Sequence, residues 1–272
     1  MVVDSNALQS PLLRDYLSKS IANFAVLTDY ASMEAYKDNT LVSIFSSMAI
    51  LADFPRQVIV LKATGVVCGL RGREPGLQRR LINREQTRGF PKYCDHLLAA
   101  NSGNISLRKQ LRLLGRAADA QMVRMLADAV NIPESVEQIA NAFTEAELKI
   151  IRTGLPFSEK LGLKIQRNIG ELAKSLFSKH PHPPVVRTVD EVPNTFLFRS
   201  ALCSFLWALD WISTGGPKGV KTERIRNDLV DVTFATFATY FDGLLSMDEK
   251  PCRIYRQAAF LLESMTSGVG QN

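Results

Sequence analysis

Two kinds of apolar run alternate over the first sixty residues. Asn23-Phe-Ala-Val-Leu-Thr-Asp29 is short, apolar on both faces and closed by an acid, the pattern of a parallel strand covered by helices on either side. Ser32 to Leu51 then carries apolar residues at helical spacing. After Pro55, Arg56-Gln-Val-Ile-Val-Leu-Lys62 is a second β-rich run. Strand, helix, strand in this order predicts the opening of an α/β sheet.

From about Gly89 to Lys179 the pattern becomes helical throughout. Leu107 to Ala129, Pro133 to Phe143, Thr144 to Thr153 and Ser158 to Lys179 each repeat apolar residues along one stripe, and Thr144-Glu-Ala-Glu147 has the form of a capping box. His180-Pro-His-Pro-Pro184 ends this region, because proline lacks a backbone donor and restricts the residue before it. Beyond it, Val185 to Val189 is a candidate strand and Thr195 to Ile212 a long apolar helix. Asp228 to Phe241 is predicted as a helix, Gly243 to Met247 as a strand and Pro251 to Met265 as a closing helix. The predicted organisation is an α/β domain from residues 1–88 and 184–272, with 89–183 as a helical insertion.

Composition adds bounds. With 272 residues, 46% of them hydrophobic, the chain can bury a large core. Cys68, Cys94, Cys203 and Cys252 are widely spaced without a CxxC pair, which argues for reduced thiols rather than zinc or a disulfide framework. No basic segment leads into an apolar core at Met1-Val-Val-Asp-Ser-Asn6, so a cytoplasmic protein is expected. Arg199 and Asp210 interrupt the apolar helix, which favours a buried element over a membrane span. Trp207 and Trp211, four apart, are assigned to packing. Asp210 beside them must face a partner, the surface or a metal cluster.

Acids supply the candidate chemistry. Asp29 and Asp248 end predicted strands, while Asp228 and Asp231 lie three apart in the predicted first turn of a helix, hence on one face. Carboxylates gathered at the carboxyl edge of an open sheet are hard oxygen donors suited to Mg²⁺ or Mn²⁺. The competing reading is that Asp228 caps the helix and that its dipole alone favours acids there. Arg71, Arg73, Arg79, Arg80, Arg84, Arg88 and Lys92 face only Glu74 and Glu85 across one segment, a local net charge of +5 within a chain of net charge +6. Such a cluster suits phosphate contacts, although a solvated helix face has the same composition. With only Phe90 and Tyr93 nearby, no stacking platform is expected. Gly215 to Thr222 does not have phosphate-loop spacing. Its Lys218 and Lys221 are candidates for a basic rim before the Asp228 helix. His180 and His182, alternating with proline, are assigned to a linker.

The stretch Asp231-Val-Thr-Phe-Ala-Thr-Phe-Ala-Thr-Tyr-Phe-Asp-Gly-Leu-Leu-Ser-Met-Asp248, with the run ending at Asp29, resembles the PIN-like nucleases. The resemblance covers about 60 residues directly, and the helical middle lies outside it. It implies a three-layer α/β sandwich with a mostly parallel central sheet. Asp29, Asp231 and Asp248 would be metal ligands and Asp228 a further ligand or supporting group. The remaining acid is Glu85, preferred by order of elements, or Glu34 on the helix after Asp29. The implied activity is Mg²⁺- or Mn²⁺-dependent phosphodiester hydrolysis, on RNA before DNA, in a toxin or defence setting, with the helical insertion open to a protein partner and no membrane involved. The alternative is a non-catalytic helical module or nucleic-acid-binding scaffold.

Overall fold

A computed structural model describes residues 1–36, 40–129, 131–153, 157–216 and 220–267. Its strands are β1 (Val2–Val3), β2 (Ala25–Leu27), β3 (Val58–Val60) and β4 (Leu244–Leu245). All pair in parallel, in the order β3-β2-β1-β4, with Val2 opposite both Val26 and Leu244. The helices are α1 (Pro11–Lys19), α2 (Asp29–Tyr36), α3 (Leu41–Asp53), α4 (Thr64–Cys68), α5 (Leu77–Leu81), α6 (Arg84–Asn101) and α7 (Ile105–Ala129). They continue as α8 (Ile132–Asn141), α9 (Glu145–Thr153), α10 (Glu159–Lys179), α11 (Phe196–Ser213), α12 (Thr222–Ala238) and α13 (Glu249–Ser267).

This corrects the expected fold class. Among the described residues 73% are helical and the strands are two or three residues long, so this is a mostly helical protein with a small parallel sheet, not a three-layer α/β sandwich. The apolar runs overstated the sheet. Of Asn23 to Asp29 only three residues pair, because the side chain of Asn23 turns back to the Tyr16 carbonyl at 2.6 Å and Asp29 already begins α2. Val185 to Val189 forms no strand, and Val185 and Val189 are exposed. The sequence pattern also missed β1, since a two-residue strand is too short to show any period.

Two cores organise the helices. Around the sheet, Val2, Val26, Leu27, Val58 and Leu244 pack with α1, α2, α3, with Phe90 and Leu97 of α6, and with Leu111 and Ala118 of α7. The second core is built on α11, against which α8, α9, α10, α12 and α13 pack. The helical middle is thus divided, its first two helices on the sheet core and the rest on α11, while Leu176 and Phe177 touch both cores. By length and composition α11 is the one described helix able to cross a membrane, and 72% of it is buried inside the protein. Its Arg199 is buried and donates to the carbonyls of Pro193 at 3.0 Å and Thr239 at 2.5 Å, tying its start to the end of α12.

Local signals hold where they are strong. Thr144 and Glu147 form the reciprocal capping box, the Thr144 amide donating to Glu147 Oε2 at 2.7 Å and the Glu147 amide to Thr144 Oγ1 at 3.3 Å. The helix expected from Asp228, however, begins at Thr222. Asp228 and Asp231 therefore lie in its second and third turns, where neither capping nor the dipole explains an acid.

Gly72 passes under the turn that leads to α11. A Cβ there would stand 2.0 Å from the Glu191 backbone carbonyl oxygen, on a residue held by its ion pair with the half-buried Arg71, and 3.0 Å from the side-chain Cγ2 of the buried Thr195. Gly72→Ala should lower stability by about 1–3 kcal/mol, the usual range for overpacking. A urea midpoint equal to wild type would show that this approach is not rigid.

Candidate functional site

The carboxyl ends of β1 and β4 meet through a network of side chains. Asp4 follows β1 and is 2% exposed. Its Oδ2 accepts from Ser246 Oγ at 2.5 Å and its Oδ1 from Ser5 Oγ at 3.3 Å. Ser5 Oγ also donates to Glu34 on α2. Ser246, just after β4, is further linked to Asn6 and accepts the Asp248 amide at 3.0 Å. Ser5 thus links Asp4 to Glu34, and Ser246 ties Asp4 to the backbone at Asp248.

Asp231 reaches the same edge from α12. Burial pushes its carboxyl up to about 8, reinforced by the charges of Asp4, Asp228, Asp248 and Glu34. Asp4 is raised as well, chiefly by burial and then by Glu34, with the hydroxyls of Ser246 and Ser5 opposing the shift. Four carboxyl groups therefore act on Asp231 at this edge, and Glu34 acts on Asp4 as well. Among the described residues only Asp228 has a cation paired with it there: Lys250 Nζ lies 2.9 Å from Asp228 Oδ2, which also accepts from Trp211 Nε1 at 3.0 Å. That ammonium lies over the rings of Trp207 and Trp211, 5.8 and 5.7 Å from their centroids. The tryptophans assigned to packing thus also hold the charge next to the acids. Asp210 pairs with Arg253 instead.

Several expected positions change. Asp29 does not join the group that raises Asp231. Its carboxylate accepts from the amide and hydroxyl of Thr64, both at 2.7 Å, and fixes the start of α4 to the end of β2. Asp4 takes the place expected of Asp29, one strand over, and the pair Val2-Val3 before it is the same strand-then-acid signal in its shortest form. Glu34, the less favoured glutamate, lies in the group. Glu85 opens α6 and lines a separate cavity. Asp228, Asp231 and Asp248 are brought together as expected.

The basic segment does not form a single patch. Arg71 is spent on Glu191, with Nε 2.9 Å from both carboxylate oxygens, and this contact holds the Glu191 carboxyl down to about 2. Arg80 donates to the carbonyls of Pro75, at 2.8 Å, and Arg71, at 3.1 Å. Arg79 lines a cavity with Arg199, Thr239 and Tyr240, at the end of α12 far along the helix from Asp231. Arg73, Arg84, Arg88 and Lys221 are exposed, and Lys218 lies outside the described residues.

Oxygen donors in this number suit a hard divalent cation, and the mutual repulsion that raises Asp231 is what such a cation would relieve. Among the described residues no three His, Cys, Asp or Glu side chains already stand as a metal-holding group. Binding would require Asp4 and Glu34 to turn from their serine partners. No family model, curated protein or solved structure matches the chain.

Asp231 gives a pH test. The folded chain keeps this proton up to about pH 8, whereas an unfolded aspartate ionises near 3.8. The stability contributed by this group is therefore full below about pH 4 and lost progressively as pH rises toward 8. Asp231→Asn should stabilise the metal-free protein by on the order of 2 kcal/mol at pH 8.5 and by little at pH 4. Thermal unfolding across that range in EDTA checks this, and a difference independent of pH would remove Asp231 from the acid group.

Proposed function

We propose that this protein is a divalent-metal-dependent nuclease that hydrolyses phosphodiester bonds, RNA being the expected substrate. The observation that carries the reading is the group Asp4, Glu34, Asp228, Asp231 and Asp248 at the carboxyl edge of the sheet, where, among the described residues, only Asp228 has a cation paired with it and Asp231 is forced to hold a proton. Open parallel sheets place ligands at this edge. A buried surplus of acid costs stability and is retained where its charge has a use. A toxin or defence role is part of the proposal through the PIN-like resemblance.

In this reading Asp4, Asp231, Asp248 and Glu34 supply oxygens to Mg²⁺ or Mn²⁺. When bound, the cation supplies Lewis acidity toward water and neutralises charge on the phosphate. Asp228 keeps Lys250 beside the group, so a cation is already fixed at the rim where a phosphate would approach. Ser5 and Ser246 hold Glu34 and Asp4 in place in the metal-free protein. Asp29 and Glu85 have no part in binding the metal.

A second reading, a non-catalytic scaffold, is favoured by one observation: no three acids among the described residues are already arranged around a common point. One experiment separates the two. Purified wild type, Asp231→Asn and Asp4→Asn are incubated with labelled single-stranded RNA, structured RNA and DNA in Mn²⁺, Mg²⁺ or EDTA. The nuclease reading expects metal-dependent cutting reduced about 100-fold or more in each variant, the scale for removing one preorganised electrostatic group. Absence of cutting by wild type in every condition would favour the scaffold.

A further inference from the structure

A cavity of about 700 Å³ opens between α2, α3, α6 and α7. Leu27 and Val60, the last residues of β2 and β3, form its floor, so it lies at the same sheet edge as the acids. The lateral offset from β1 is one to two strand spacings, about 5–10 Å. Met33, next to Glu34 on α2, is in its wall.

The lining is chemically mixed in a specific way. Tyr36 from α2 and Phe90 and Tyr93 from α6 give three aromatic rings, with Phe90 and Tyr93 5.5 Å apart between centroids. Tyr36 and Tyr93 share a 2.5 Å hydrogen bond between their hydroxyls, which fixes both rings. Burial raises both phenols, so neither carries charge at neutral pH. Met33 and Met48 add adaptable apolar surface. Glu85, Gln86, Gln121 and Arg124 supply acceptors and donors, the last two joined by a hydrogen bond at 3.1 Å. On α6 the helical spacing turns Arg84 and Arg88 away from this wall, leaving Arg124 as the lining cation.

We infer that this cavity binds an unpaired nucleobase of the strand cut at the acid edge. The inference rests on the nuclease reading for its source of substrate. A flat apolar body with hydrogen-bonding edges matches fixed aromatic rings, thioethers and polar groups that both donate and accept. The volume is in the range of small-molecule sites. A purely aliphatic ligand would make no use of the polar rim of Glu85, Gln86, Gln121 and Arg124, and a bulky duplex does not enter a cavity walled by four helices. Three aromatic residues separated by up to 57 positions in sequence form the pocket that the basic segment by itself lacks.

The test is equilibrium binding in EDTA, where cutting is absent. Short labelled single-stranded RNA is compared with the same backbone made abasic throughout, on wild type and on Ala117→Trp. Ala117 lines the cavity from an exposed position, so an indole there fills the space without disturbing the core. The base-bearing strand should bind wild type about tenfold more tightly than the abasic one, the scale of one stacked base, and Ala117→Trp should remove the difference. Equal binding of both strands by wild type overturns the inference without any variant. So does a difference that persists in an Ala117→Trp protein of unchanged unfolding temperature. Should base-dependent binding hold while no metal supports cutting, the nuclease reading fails and the base site stands. Metal-dependent cutting with equal binding of the two strands would keep the nuclease and remove the base site.

Discussion

The pairing of β1 on both its edges is the constraint on which the rest depends. Val2 donates to the Gly243 carbonyl at 2.8 Å, and the Asp4 amide to the Leu245 carbonyl at 3.0 Å, while the Val26 amide donates to the Met1 carbonyl at 2.9 Å. Two residues thereby join a strand near position 25 to one near position 244. Without this junction Asp4, Glu34, Asp231 and Asp248 have no reason to share a space. Contacts of such long sequence separation carry a large closure entropy, which the surrounding apolar burial must offset. Val2 and Val3 are fully buried, as that demands.

Around this junction the protein concentrates like charge and manages it unevenly. Asp228 is compensated by Lys250 and the Trp211 indole N–H, so loss of the half-buried Lys250 would leave a buried charge uncompensated. Asp4 and Glu34 are satisfied by hydroxyls, which donate hydrogen bonds but bring no positive charge. Asp231 is left to hold its proton. The gradient from a paired acid to a protonated one runs across a single helix face, three residues apart on α12. Stability is therefore lower here than burial alone would allow, because a carboxyl that must stay protonated contributes less as pH rises.

The second core has a different role. Apolar α11 packs against α8, α9, α10, α12 and α13 in the second core and is anchored at its start by Arg199, which spends its donors on backbone and side-chain oxygens and stacks at 4.0 Å over the Tyr240 ring. That anchor fixes the end of α12 relative to α11. The position of Asp228 and Asp231 along α12 follows from it, because a helix transmits a fixed end to its other turns as a rigid rod.

The chain's own pattern determined the helices of the middle third, the capping box at Thr144, the buried character of α11 and the shared helix face of Asp228 and Asp231, because periodicity and capping are local and survive without tertiary context. It did not reveal that α12 starts at Thr222, that β1 exists, or that the acid acting on Asp231 from the sheet is Asp4 rather than Asp29. A strand of two residues has no period to read. Its identity comes wholly from the partners on either side. The acid that joins a site is likewise chosen by where a neighbouring group draws its carboxylate: Thr64 takes Asp29, and Arg71 is taken by Glu191, 120 positions away. Residue types and local elements were written in the sequence. Which charges face one another was decided only by the tertiary structure, since electrostatic interaction falls with distance in space and takes no account of distance along the chain.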